Sequence, residues 1–173
     1  MMTMDGDLLE RFLDLAVDRL DGDWVIIGGR VLPLVDIQHR VTLDIDVVGP
    51  EWNQQTLELL QIVVAIGLAP EAVNLAAAFF LHRIPGWGHH LIPVRKGLRA
   101  TFHRPDSTLY VLLKLARLTA TDLQDCMQYL QWAGDRNETI EADVLRQAVD
   151  RELGAGPGPE KRERLEALRA VLP

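Results

Sequence analysis

Cysteine is almost missing from this chain. Cys126 stands alone among 173 residues, so no disulfide can close within it. Serine is as scarce: Ser107 is the only one, and neither it nor Cys126 has a His–acid pair placed to activate it. Basic charge is short as well. Lysine and arginine number 18 against 25 aspartates and glutamates, a formal net charge of −7. A broad electrostatic grip on nucleic acid needs clustered cations and is not expected. A local basic run remains at Arg83, Arg95, Lys96, Arg99 and Arg104, with His82, His89, His90 and His103 close in sequence. It reads either as a polyanion contact or as the solvated rim of a hairpin. No apolar stretch approaches the ~20 residues of a membrane span. No cationic start leads into an apolar run, so no signal peptide is expected, and a cytoplasmic location fits the lone cysteine.

What is present describes a globular protein: 48% hydrophobic and 25% charged residues, enough to build a core. Leu8, Leu9, Phe12, Leu15, Ala16 and Leu20 recur at helical spacing, which predicts a helix over residues 7–20. A turn at Asp21-Gly22-Asp23 leads into the apolar run 24–27, a buried strand. Gly28-Gly29 ends it, and 30–35 reads as one or two helical turns. A second strand over 41–48 is closed by Gly49-Pro50. Helices are expected over 51–66 and 71–84, and two strands over 90–94 and 97–103. The remainder is helical in pattern, at 106–118, 120–133, 140–153 and 160–171, with a Gly/Pro linker at 154–159. The reading is an α+β chain, with a strand-bearing part over 1–104 and an all-helical part over 105–173.

The most informative segment is Arg40-Val-Thr-Leu-Asp-Ile-Asp-Val-Val48. On a strand Val41, Leu43, Ile45 and Val47 face one way, and Thr42, Asp44 and Asp46 the other. Two such carboxylates lie roughly 7 Å apart at their Cα atoms. Aspartate is unfavourable in strands and like charges repel, so something must offset the cost. Mg²⁺ (or Mn²⁺) suits the position, because it takes one or two carboxylates together with substrate phosphates and water. The plainer alternative is a strand with one water-facing side. The Gly28-Gly29 bend precedes this segment. Its missing side chains let backbone N–H groups approach an anion closely. The two elements together can hold phosphate and cation side by side.

Trp24-Val-Ile-Ile-Gly-Gly-Arg30 followed by Arg40-Val-Thr-Leu-Asp-Ile-Asp-Val-Val48 resembles the opening signature of the DNA polymerase β-like nucleotidyltransferase superfamily. It is most similar to small bacterial branches that include AbiEii-type toxins of toxin–antitoxin systems. Leu112-Leu-Lys-Leu-Ala116 followed by Asp122-Leu-Gln-Asp125 is similar to a helical motif of those branches. Val73-Asn74 and Ile84-Pro-Gly-Trp87 resemble the middle of a related uncharacterised family. The resemblance implies a nucleotidyltransferase-like core over 1–104 with the helical region 105–173 packed on it. It implies that Asp44 and Asp46 ligate Mg²⁺ carrying a nucleoside triphosphate. Gly28 and Gly29 then hold phosphates, with Arg30 and Thr42 beside them and Arg40 bracing the acidic strand. Lys114 lies near the phosphates or the acceptor, and Asp122 matches the later motif acid. Transfer goes to a protein, RNA or small-molecule acceptor, and a cognate antitoxin or a second copy of the chain is the partner class implied.

The chain departs from that pattern at three places. Arg30 stands where a small residue or serine is usual, the strand 97–103 carries no third acid, and Thr121 precedes Asp122 in place of a basic residue. Asp106 reads as a helix N-cap. Lys114 can also be a lysine snorkelling over apolar surface, and Asp122 and Asp125 can be acids favoured by a helix start. His89-His90 has no partner at metal-ligand spacing, and Trp87 and Trp132 read as packing residues. Three functions stay open at this level. They are a Mg-dependent nucleotidyltransferase, a catalytically inactive protein of that fold serving as a nucleotide- or partner-binding component of a toxin–antitoxin or defence system, and a helical interaction module.

Overall fold

The computed structural model describes residues 4–37, 44–50 and 52–173, and the chain divides into two compact units, Met1–Pro105 and Asp106–Pro173. The first unit is α+β. Helix α1 (Met4–Arg19) buries the stripe Leu9, Phe12, Leu13, Ala16 and Val17, as its helical spacing requires. Strand β1 (Gly22–Ile27) follows, with four buried residues after two exposed ones. A 3₁₀ turn, Gly28–Arg30, passes into the single-turn helix α2 (Val31–Leu34). Strand β2 is Ile45–Val48 and helix α3 is Trp52–Ala65. Strand β3 (Val73–Asn74) and helix α4 (Ala77–Leu81) come next. Strands β4 (Leu91–Lys96) and β5 (Ala100–Pro105) close the unit as an antiparallel pair.

The five strands form one mixed sheet in the order β3-β2-β1-β5-β4. Strand β1 runs antiparallel to β2 and parallel to β5. Alternation puts Trp24, Ile26, Ile45, Val47 and Phe102 into one core with α1 and α3. Trp24 stacks on Phe102 at 6.0 Å, and Phe12 meets Phe102 edge-on at 5.8 Å. Side chains at the odd positions of β2 are thereby committed to the core, which sends Asp46 to the opposite face.

Two expectations need correcting. The residues 71–84 do not form one helix. A 3₁₀ turn at Pro70–Ala72 leads into β3, which pairs in parallel with β2 (Ile45 with Val73, Asp46 with Asn74). Pairing the bare edge of β2 satisfies its backbone groups and overrides the local helix preference of the alanines. Asp44, read as part of the strand over 41–48, also stands outside it: β2 as described is Ile45–Val48. The main-chain oxygen of Asp44 is taken by the Arg30 side chain, whose Nε donates to it at 3.2 Å. Residues 41–43, with Thr42 among them, and Arg40 lie outside the described residues.

The second unit is helical: α5 (Ser107–Leu115), α6 (Ala120–Asp135), α7 (Ala142–Gly154) and α8 (Pro159–Val171). Asp106 caps α5 by accepting the Leu109 N–H at 2.8 Å, as read from the sequence. Tyr110 and Tyr129 meet edge-on at 5.0 Å between α5 and α6, and Leu145, Val149, Leu165 and Leu168 bury the inner faces of α7 and α8. Among the described residues no helix is long and apolar enough to cross a membrane.

Candidate functional site

The register between β1 and β2 places Ile27 opposite Asp46, so the residue after β1, Gly28, meets the aspartate side chain. The contact is close. A Cβ built on Gly28 would lie 2.1 Å from Asp46 Oδ2 and 3.1 Å from its Cγ, and Gly28 has a φ of +73°. Both facts demand glycine: the backbone is in the left-handed region, and the carboxylate occupies the space a side chain would need. The glycine bend and the acidic strand therefore share one ledge.

Asp46 is held from its other side by β3. Asn74 Nδ2 donates to Asp46 Oδ1 at 2.7 Å. Asn74 Oδ1 accepts the Ala76 N–H at 3.0 Å, which fixes which way the amide points. Asp44 is exposed just before β2, and Asp46 is half-buried within it. Arg30 is only 1% exposed, and through Asp44 O it ties the glycine turn to the start of β2. These contacts make the ledge a braced feature of the sheet. Gly28, Gly29, Arg30, Asp44 and Asp46 all belong to the first unit. Asn74 enters the sequence reading only through a family resemblance, and its contact with Asp46 is what sequence reasoning missed here. The residue sits in an apolar, alanine-rich stretch that reads as helix, and only the pairing of β3 with β2 brings it to the aspartate.

Lys114 and Asp122 belong to the second unit, where they form a closed network. Lys114 Nζ donates to Asp122 Oδ1 at 2.9 Å and lies 3.8 Å from Asp125 Oδ2. Arg117 donates to both Asp122 oxygens at 2.8 Å. Thr119 adds its N–H at 3.0 Å and its hydroxyl at 2.9 Å, and Asp122 N–H returns a bond to Thr119 Oγ1 at 3.1 Å, completing a capping box at the start of α6. Burial alone would push the Asp122 carboxyl up, but the bonds from Arg117, Lys114 and Thr119 outweigh it and hold the carboxyl well below its usual range. Beside it, burial pushes the Cys126 thiol up, out of nucleophilic range.

Three members of the basic run, Arg95, Arg99 and Arg104, are engaged within the fold. Arg95 pairs with Asp14 and Glu10 of α1. Arg99 grips Asp21 through two bonds of 2.7 and 2.6 Å, and that hydrogen bonding keeps the Asp21 carboxyl below its usual range. Arg104 is buried, its Nη1 donating to Pro105 O at 3.3 Å. At the hairpin Arg95 and Arg99 are thus paired charges. Among the described residues no cluster of three or more His, Cys, Asp or Glu side chains could hold a metal ion, which includes His89 and His90.

A mixed sheet that presents a carboxylate over a glycine bend is the arrangement the nucleotidyltransferase resemblance implies. Comparison with family models agrees: residues 3–153 match the family described as "nucleotidyltransferase of unknown function (DUF6036)". The chain belongs to that family. Comparison with curated proteins and with solved structures finds no match.

Proposed function

We propose that the first unit binds a magnesium–nucleoside triphosphate at the Gly28–Asp46 ledge and that the protein transfers the nucleotidyl group to an acceptor oxygen. The observation that carries this reading is the seating of the Asp46 carboxylate against Gly28. The donor set fits magnesium: Asp44 and Asp46 offer hard carboxylate oxygens, and magnesium takes one or two of these, completing its shell with phosphate and water. Bound there, magnesium would screen the phosphate charges and favour departure of pyrophosphate.

The chain's own residues do the positioning. Gly28 and Gly29 keep side chains out of the phosphate path, Asn74 fixes the Asp46 carboxylate, and Arg30 fixes the backbone at Asp44. In the reaction the acceptor oxygen forms a bond to the α-phosphorus as the bond to pyrophosphate breaks, and the acceptor's proton passes to solvent or to a carboxylate. A net charge of −7 favours a protein or small-molecule acceptor over a long nucleic acid. One observation favours a second reading, binding without transfer, as in a partner-binding component of a toxin–antitoxin or defence locus. The strand beside Asp46 brings up Asn74, an amide, which cannot take a proton from an acceptor.

The test is thermal unfolding with Mg²⁺ and each nucleoside triphosphate, followed by incubation of labelled triphosphate with cell extract. Ligand at about 100 times its Kd is expected to stabilise by about 2.7 kcal/mol. Asp46→Asn and Asp44→Asn are expected to remove that stabilisation. Labelled product from the native chain alone supports transfer, stabilisation with no product supports binding only, and no stabilisation by any triphosphate rejects both.

A further inference from the structure

Helix α4 packs against β2, the strand that carries Asp46, and it begins three residues beyond Asn74. Its buried face is made by Ala77 and Leu81, one helical turn apart. Phe79 and Phe80 lie off that face and are 64% and 53% exposed. Their rings meet edge-to-face at 5.6 Å. The Arg83 guanidinium stands 5.1 Å from the centre of the Phe79 ring, and a few residues further His82 and Trp87 pair at 5.4 Å. Neighbouring phenylalanines this open to water do not serve the core. What they offer is aromatic surface with a cation beside it, on the segment that leads directly away from the carboxylate ledge.

We infer that Phe79 and Phe80, with Arg83, form a stacking wall for the base of the nucleotide whose phosphates lie at Gly28 and Asp46. The inference rests on the magnesium–triphosphate reading and adds the contact for the other end of the same ligand. Charge and chemistry match along its length: carboxylates for the cation that carries the phosphates, then aromatic rings and a planar guanidinium for a flat, polarisable base. Stacking of this kind is tolerant of base identity, because every base has a π-face. The wall therefore adds affinity for nucleotides over bare polyphosphate and discriminates weakly among the four bases.

The experiment compares two probes by calorimetry in the presence of Mg²⁺: the four ribonucleoside triphosphates and inorganic tripolyphosphate. The native chain is expected to bind the nucleotides more tightly than tripolyphosphate. Phe79→Ala/Phe80→Ala is expected to weaken nucleotide binding about tenfold or more and to leave tripolyphosphate binding unchanged. Phe79→Leu/Phe80→Leu keeps apolar surface but has no π-face, and is expected to behave like the alanine pair. The rings are exposed, so both variants are expected to unfold at the native temperature. Nucleotide binding unaltered in the alanine pair overturns the stacking wall while the ledge stands. Loss of tripolyphosphate binding in that pair also overturns it, since the rings would then serve the phosphate end. If the native chain binds neither probe, the ledge reading fails first and the wall falls with it.

Discussion

Replacing Gly28 by alanine is expected to destabilise the first unit by about 2–5 kcal/mol, combining left-handed backbone strain with overpacking, and to abolish magnesium–triphosphate binding. The new Cβ has nowhere to go: it would lie 2.1 Å from Asp46 Oδ2, on a backbone with φ +73°. Relief comes only if Asp46 swings away, and that breaks its bond from Asn74. Gly67→Ala is the matched control. Gly67 also has a positive φ, +89°, but nothing lies within 4 Å of its added Cβ, so it pays the backbone strain alone, about 1–2 kcal/mol. Urea unfolding of the two variants separates strain from clash, and calorimetric titration with a magnesium–triphosphate reads the ledge. A Gly28→Ala variant that binds as tightly as the native chain would show that the seating of Asp46 has nothing to do with ligand.

The second large effect is expected at Asp122. Its two oxygens accept five hydrogen bonds, from Lys114, Arg117 and Thr119, and it is fully buried. Asp122→Ala leaves the Lys114 charge, itself 8% exposed, facing Asp125 alone and removes half of the α6 capping box. Breaking a buried pair in this way costs about 3–5 kcal/mol. Arg117 is largely exposed and adds little to that figure. The pH dependence has a definite sign. The folded carboxyl titrates below its unfolded value, so its contribution is fully present above about pH 4 and fades as the pH falls toward the folded value. In denaturant titrations from pH 7 down to pH 3, the stability gap between native chain and Asp122→Asn is expected to hold steady to about pH 4 and to narrow below it. A gap between them that stays constant down to pH 3 contradicts the assignment.

These two sites also mark how far the sequence could be read. The heptad-like stripe of α1, the buried run of β1 and the last four helices were legible because each is a local periodicity with its own start and stop signals. The Gly28-Gly29 bend and the acidic segment with Asp46 were legible as neighbouring elements, a glycine turn ending one strand ahead of carboxylates on the next, and the family resemblance joined them, with a water-facing strand left as the plainer alternative. The close seating of Asp46 on Gly28 was not, since it depends on the β1–β2 register, in which Ile27 faces Asp46. Asn74 and β3 were hidden for the same reason. Two residues cannot declare themselves a strand, and Val73-Asn74 becomes one only by pairing with β2. The role of Arg30 was likewise invisible: its bond to Asp44 O joins segments 14 residues apart through a side chain. Lys114 and Asp122 show the reverse case. Their spacing was noticed as a motif, and the geometry ties them to Arg117 and Thr119 in a brace between α5 and α6.

Paramagnetic relaxation reads the central claim most directly. With Mn²⁺ in place of Mg²⁺ and a non-hydrolysable nucleoside triphosphate present, the amide signals of Gly28, Gly29 and Asp46 should broaden first as metal is added, and the effect should vanish in Asp46→Asn. Broadening centred elsewhere in the chain, or equal broadening in the variant, would mean that the aspartate seated on the glycine bend is not where metal and phosphate meet.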